Sequence, residues 1–455
     1  MDEYESDRED YMLGALGIFL GASVIIYLSL KRLNIMITAP LAALVVIIFN
    51  DMPIYDSLLG AQEYSFISAL GDNMMKFFAL FLLGSILGKL MERSGATLSI
   101  AQDILRRIGH DKPYAGLLAL FLICSILTFG GISMYVVLFA VIPLGRSLFK
   151  EMNISWSLIQ LPIWLGVATL TLVMLPGSPS IQNVIPVTYL GTSINAAPIP
   201  SILGAIASTI FGLWFMHYRL HQSLQKGEVF EEKIDFVATT TDLPVKPLPP
   251  LGRSLLPLLL LIIIAIGGSI LGSDQVKATI IYVALLSSII ASLVLFWSYL
   301  DNPIKTLSLG ATDSTGALFA TVSAVAFGSV IVHSPGFEVI VNKIYAMSDN
   351  PYFKLISLNS LMSLITSSSV GTLSIILPKF SQELLQSGAN PELLHRIACL
   401  SVSVFPMGPH SGAVLTFLGL TGLNYKTGYK DSVIVVAVCT GLALIVTLVT
   451  GLWLY

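Results

Sequence analysis

Long apolar runs alternate with short polar connections along most of this chain. Many of the runs approach the roughly 20 residues that a helix needs to cross a lipid bilayer. They predict membrane-spanning helices at residues 11–30, 34–49, 74–90, 155–189, 201–217, 255–271, 278–297, 315–332, 392–420 and 432–454. The pattern is typical of an all-α polytopic membrane protein.

Two further apolar stretches are interrupted halfway by small polar residues. They cover residues 114–148 and 352–385, with the interruptions at 129–133 and 367–372. We interpret each stretch as a re-entrant hairpin whose two arms enter and leave the membrane on the same side. The interruptions would then be the hairpin tips.

The two halves of the chain share the same punctuation although their sequences differ. Pro113 and Pro351 open the hairpins, and prolines and glycines later break a long span in each half, at residues 176–183 and 406–412. This predicts a repeat formed by residues 1–217 and 255–455, joined by a polar cytoplasmic linker at 218–254. Each repeat would hold five crossings and one hairpin, so the second copy would be inverted.

Interruptions of this kind are costly in lipid, because each unpaired backbone group costs several kcal/mol. We expect them to meet near the membrane midplane, where free N–H groups at restarting helices suit an anion without a buried Lys or Arg. Lys76 and Lys379 are placed near span ends. The predicted substrate- and ion-binding residues are Gly130, Gly131, Ser133, Gly177, Ser178, Asn183, Ser368, Ser369, Gly371, Thr372, Gly408, His410 and Ser411.

One histidine and two acids are further candidates. His410 lies inside a broken span, where it would relay a proton or, as a neutral imidazole, bond a freed carbonyl. The other histidines, His395 among them, are predicted to be solvated beside loops. Asp72 and Asp313 are predicted to cap helix N-termini, with a role as intramembrane acids as the alternative.

Composition excludes several classes of protein. With 55% hydrophobic and 11% charged residues and a mean hydropathy of +0.83, the chain is not a soluble enzyme. A net charge of -3 gives no attraction for nucleic acid. The three cysteines lie in apolar runs and predict core packing, not a disulfide or a metal site. No catalytic constellation or cofactor motif is found in the sequence.

The basic residues favour one orientation in the membrane. If both hairpins return to their side of entry, most Lys and Arg residues fall on the side of the loop after residue 30, which is therefore predicted to be cytoplasmic. Both termini are then extracytoplasmic. We expect a multi-pass protein of the inner (plasma) membrane.

Several motifs resemble the GntP family of gluconate and related organic-acid permeases, within the ion transporter superfamily. They read GKLMERSGA at 88–96, FGGIS at 129–133, PGSPSIQN at 176–183 and PHSGAV at 409–414. The branch labelled hydroxybutyrate permease is the most similar, although Ser178 and Ser180 depart from its first break and residues 403–408 lack its acid. The resemblance implies an inverted-repeat fold, a dimeric scaffold and elevator-like movement.

The expected function is secondary active import of a small carboxylate, such as gluconate or 3-hydroxybutyrate, by a homodimer in the lipid bilayer. The resemblance favours coupling to protons, while related transporters of the superfamily use sodium, so both cations stay open. A passive anion channel is one alternative, and a membrane enzyme or sensor is another. The absence of catalytic motifs from the sequence disfavours the last class.

Overall fold

The computed structural model describes residues 2–31, 33–62, 65–108, 112–129, 134–178, 180–231, 247–271 and 274–455. Every regular element in these ranges is a helix. Seven of the helices are long and apolar enough to cross a membrane, and four shorter apolar helices accompany them. The protein is therefore a polytopic membrane protein, as its apolar runs predict.

The first half of the chain consists of helices, and one of its predicted spans is interrupted. Its helices are α1 (Asp2–Leu30), α2 (Ile35–Phe49), α3 (Ile54–Leu58), α4 (Phe66–Arg93), α5 (Ala96–Ile108), α6 (Pro113–Phe129), α7 (Met134–Met152), a 3₁₀ turn (Trp156–Ile159), α8 (Gln160–Trp164), a π-helical segment (Leu165–Met174), α9 (Ile181–Leu190) and α10 (Pro198–Gln225). The helical structure stops after Met174 and restarts at Ile181, so the predicted break in this span is confirmed.

The second half of the chain contains the remaining helices. Its helices are α11 (Leu251–Leu271), α12 (Asp274–Phe296), α13 (Pro303–Val332), α14 (Pro335–Met347), α15 (Pro351–Thr366), α16 (Ser369–Gln386), α17 (Pro391–Ser401), α18 (Gly412–Thr421), α19 (Tyr425–Gly428) and α20 (Lys430–Leu454). The break predicted between α17 and α18 is present. Most of the predicted linker, residues 232–246, lies outside the described residues.

The prediction that Asp72 and Asp313 cap helices is wrong. The Ser65 hydroxyl caps α4 by accepting from the Ser68 amide at 3.1 Å, and Asn302 caps α13, so both acids lie inside their helices. Both helices begin earlier than predicted, because the glycines near these acids do not interrupt them. The Asp313 carboxylate instead pairs with the Lys89 ammonium at 2.9 Å.

Contacts between the halves occur in reciprocal pairs. Helix α1 packs against α14, and α11 packs against α5. Helix α2 contacts α13, and α12 contacts α4. The central helices α4 and α13 contact each other, and so do α10 and α20. Contacts of helices early in the first half with the second half thus have counterparts in contacts of helices early in the second half with the first.

Two helical hairpins, α6 with its return helix α7 and α15 with its return helix α16, also make reciprocal contacts. Helices α6 and α15 each pack against the first part of the broken span in their own half, the π-helical segment and α17 respectively. The return helices cross over, since α7 contacts α18 and α16 contacts α9. Each return helix therefore lies beside the second part of the other half's broken span.

One glycine contact joins the first helices to the second half. The Asn50 side chain donates to the Gly14 carbonyl at 3.1 Å and accepts from the Gly336 amide at 2.7 Å. A Cβ atom on Gly336 would overlap backbone atoms of Gly14 and Ala15. Close approach of α1 and α14 therefore requires glycine at position 336.

We predict that Gly336→Ala destabilises the protein by about 1–3 kcal/mol, the usual cost of overpacking a tight site. Thermal melting of the purified protein in detergent measures the effect. Gly441→Ala in α20 is the matched control, since a Cβ there meets no atom within 4 Å. Equal melting temperatures for the two variants would contradict this account of the junction.

Candidate functional site

The break in the first half is a short non-helical segment after the π-helical segment. Gly177 has a φ of +81°, which side-chain-bearing residues rarely adopt, and its amide donates to the Ile194 carbonyl at 2.9 Å. Ser180 begins α9, and its hydroxyl accepts from the Asn183 amide at 3.3 Å. The protein itself thus satisfies backbone groups that the break frees from the helix.

Two predicted site residues hold this break together. The Ser178 hydroxyl donates to the Thr171 carbonyl at 2.6 Å. The side-chain Nδ2 of Asn183 donates to the backbone carbonyls of Ser178 at 2.7 Å and Ile194 at 2.9 Å. Both side chains are fully buried. In this conformation they therefore fix the path of the backbone.

His395 is not solvated, so its predicted placement is wrong. Helix α17 packs against α9 and buries this side chain completely. Its Nε2 lies 2.9 Å from the Asn183 Oδ1, and its Nδ1 lies 2.6 Å from the Thr192 hydroxyl. The side-chain nitrogen of Asn183 already donates two hydrogen bonds, so the Asn183 Oδ1 is the atom that faces His395, and it accepts from the Nε2–H of the ring. In the neutral imidazole, Nδ1 then accepts from the Thr192 hydroxyl.

Arg396 overturns the expectation that the core would contain no Lys or Arg. The residue is 0% exposed. Its guanidinium donates to three carbonyls of the first half, those of Val173 at 3.3 Å, Ile194 at 3.4 Å and Ala196 at 3.1 Å. Among the described residues, no carboxylate forms an ion pair with it. A buried cation of the second half therefore bonds backbone groups on either side of the first half's break and of α9.

The sequence contained a signal for this pair. His395 and Arg396 both lie inside the predicted span 392–420, and an ionisable residue within a span is by default a functional candidate. Their position near the span's beginning made them resemble interfacial residues. Only the packing of α17 against α9 reveals the burial of both side chains.

The break in the second half is packed against the tip between α15 and α16. His410 is 0% exposed, and its Nε2 lies 3.0 Å from both the Ser367 hydroxyl and the Ile365 carbonyl. The Ser411 hydroxyl donates to the Ser367 carbonyl at 3.3 Å. A Cβ atom on Gly408 would overlap the Ser367 hydroxyl, so this contact requires glycine.

The tip of the second hairpin is a tight turn. Ser367 adopts a left-handed conformation with a φ of +50°, and Ser368 caps α16 by accepting from the Gly371 amide at 3.1 Å. The Ser369 hydroxyl donates to the Val402 carbonyl of the break at 3.2 Å. The Thr372 hydroxyl lies 3.3 Å from that of Thr366. Tip and break of this half thus form one hydrogen-bonded cluster.

Sequence reasoning identified most of this cluster but missed Ile365 and Ser367, which contact His410 directly. Ser367 belongs to the predicted interruption at 367–372, so its polar run was a usable signal. Ile365 contributes only a carbonyl, which no side-chain pattern reveals. The first tip, with the predicted site residues Gly130, Gly131 and Ser133, lies outside the described residues.

A cavity of about 230 Å³ lies between α4, α7, α13 and α18. Its polar lining includes Arg146 and the ion pairs of Lys89 with Asp313 at 2.9 Å and with Glu92 at 3.3 Å. Apolar groups such as Phe139 complete the wall. The cavity thus combines charged groups with an apolar wall.

Comparisons with known proteins agree with these features. A model described as the GntP family permease matches residues 13–450. The chain is 27% identical to the uncharacterized transporter YxjC of Bacillus subtilis, over 91% of this chain and 94% of that protein. It is also 27% identical to the D-serine transporter DsdX of Escherichia coli K12, over 68% of this chain and 63% of DsdX.

The solved structure of the YdaH transporter from Alcanivorax borkumensis covers 85% of this chain and 87% of its own, at 15% identity and a TM-score of 0.37. That similarity is too distant to support an inference about mechanism. The family match, by contrast, extends over nearly the whole sequence. The chain therefore belongs to the GntP permease family and is a membrane transporter, not an enzyme.

Proposed function

We propose that this permease imports a small hydroxylated carboxylate by secondary active transport, driven by a proton gradient. The family and the relatives support transport of organic acids. The proposal of a carboxylate site rests on the two backbone breaks. Hydrogen bonds within the protein stabilise each break, and each lies beside a return helix of the other half. Broken spans of this kind form substrate sites in transporters.

The reciprocal helix contacts support an inverted repeat. A twofold relation makes every contact appear twice, once from each side, as between α1 and α14 and between α11 and α5. We assign residues 1–217 and 255–455 to the two repeats and 218–254 to the linker. Helices α6 and α7, like α15 and α16, would form re-entrant hairpins in oppositely oriented copies.

The proposed site has two halves. Three helices restart at the described interruptions, α9, α16 and α18, and the free N–H groups of a first helical turn attract a carboxylate. One half-site is assigned to Gly130, Gly131, Ser133, Gly177, Ser178 and Asn183, and the other to Ser368, Ser369, Gly371, Thr372, Gly408, His410 and Ser411. Hydroxyl groups in both would bond the substrate's own hydroxyl.

The substrate in the name of DsdX and the substrates predicted from the sequence share two chemical groups. DsdX is named for D-serine, which carries a carboxylate and, on the second carbon from it, a hydroxyl group. A hydroxy acid or a sugar acid presents the same two groups. Gluconate and 3-hydroxybutyrate are therefore the first substrates to test, with D-serine beside them.

His410 favours protons as the coupling cation. Its Nε2 bonds the Ile365 carbonyl, and its Nδ1 has no hydrogen-bond partner among the described residues. A buried imidazole with a free nitrogen can accept a proton together with an anionic substrate, which keeps the site near neutral. Sodium held by the freed carbonyls is the alternative.

We further propose that the transporter acts as a homodimer of the inner membrane with an elevator-like movement. Both termini would be extracytoplasmic, with the basic loops inside. The cavity beside Lys89 and Asp313 would open toward the cytoplasm, because Lys89 lies near the predicted cytoplasmic end of α4.

Uptake by reconstituted protein is the direct test of this function. We expect saturable uptake of one or more labelled hydroxy acids that an imposed pH gradient drives and a sodium gradient does not. Empty liposomes are the control. Flux that rises without saturation and needs no gradient would indicate the anion channel instead.

Replacing His410 tests the route of the proton. We expect His410→Gln to keep counterflow exchange but to lose the roughly tenfold accumulation that one pH unit drives, since this gradient stores about 1.4 kcal/mol per proton. His221→Gln, an exposed position on α10, is the control and should accumulate normally. Unchanged accumulation by His410→Gln would rule out this histidine as the proton carrier.

A further inference from the structure

Three carbonyl oxygens beside the first break accept hydrogen bonds from the same side chain. The Val173 carbonyl lies at the C-terminal end of the π-helical segment, and those of Ile194 and Ala196 belong to the loop after α9. The C-terminal end of a half-helix carries partial negative charge, and unwound carbonyls beside it are the groups that bind a coupling cation in transporters. This set of oxygens is therefore suited to a cation.

The positively charged side chain of Arg396 lies at these three carbonyl oxygens. The Arg396 guanidinium donates to all three carbonyls, and the side chain is completely buried. With no carboxylate paired to it among the described residues, its charge is balanced by these backbone dipoles. The guanidinium thus supplies both a positive charge and hydrogen-bond donors to these three carbonyls.

The second break differs in this respect. Its carbonyls accept from neutral groups, with the Tyr425 hydroxyl donating to Pro409 at 2.7 Å and the Tyr429 hydroxyl donating to Met407 at 2.6 Å. Among the described residues, no Lys or Arg donates a hydrogen bond to this segment. Neutral donors leave the negative ends of these dipoles without a fixed positive charge.

We infer that Arg396 is a tethered cation that occupies the ion position of the first break, so that a coupling cation binds at the second break alone. The inference rests on the proposed function, since it assigns the cation sites of that transporter. It means that one cation position is permanently filled. The stoichiometry of coupling is then set by the cluster around His410.

Removing the guanidinium should convert the first break into a site for a free cation. We propose to measure thermal melting of purified Arg396→Gln in sodium chloride and in choline chloride of equal concentration. Sodium should raise the melting temperature of this variant by about 2 °C or more, because a ligand that binds only the folded state stabilises it. Wild type and Arg396→Lys, which keep the charge, should show no such rise.

A neutral control excludes a general effect of sodium on weakened protein. Trp156→Phe removes the indole donor of the Thr421 carbonyl, 2.8 Å away, and leaves all charges in place. It should melt equally in both salts. The same sodium response in wild type and Arg396→Gln, whether zero or positive, would overturn the inference.

If Arg396→Gln does not fold, wild type and Ser178→Ala give the answer. Sodium stabilisation of wild type that Ser178→Ala abolishes would mean that a free cation already binds the first break, which overturns the inference. An equal response of both proteins supports it. Because melting needs neither substrate nor transport, this result is independent of whether the uptake experiment succeeds.

Discussion

Backbone amides and carbonyls that leave a helix inside the membrane need hydrogen-bond partners from the protein, because lipid offers none. Two spans of this transporter are interrupted, and much of the polar side-chain chemistry of the core serves those interruptions. Ser178 and Asn183 bond carbonyls of the first break, and Ser369 and Ser411 bond carbonyls of the second break and its adjoining tip. Two glycines also belong to these interruptions: Gly177 has a φ of +81°, and a Cβ atom on Gly408 would overlap the Ser367 hydroxyl.

The two interruptions are also connected through one helix. Helix α17 belongs to the second broken span, yet its His395 and Arg396 bond groups around the first break. If the two breaks move relative to each other, the hydrogen bonds of His395 and Arg396 around the first break must therefore change, or α17 must move together with the first break. If the two breaks form the half-sites proposed above, these contacts would couple one half-site to the other.

The sequence was sufficient for the positions of the breaks. Proline and glycine at 176–177 and 406–409 interrupt apolar runs whose length otherwise specifies spanning helices, and local rules act strongly there. The partners of the breaks were not predictable in this way. Arg396 contacts residues some two hundred positions away, and nothing in its own helix identifies the carbonyls it meets.

The helix starts near Asp72 and Asp313 were also not predictable from the local sequence. Asp72 and Asp313 stand after glycines, where a helix start is a reasonable local expectation. The capping residues proved to be Ser65 and Asn302, so the helices run through the glycines. Both helices, α4 and α13, also pack against each other in the structure, a long-range contact that the local sequence does not reveal.

We propose that the two halves are oppositely oriented copies that bring their interruptions together. Single cysteines at Lys112 and Asp349, exposed positions before the two hairpins, test it with a membrane-impermeant thiol reagent in intact cells. Background labelling should be low, because Cys124, Cys399 and Cys439 are buried. Asp349→Cys should react from outside and Lys112→Cys only after permeabilisation. Reaction of both from the same side would contradict the inverted arrangement.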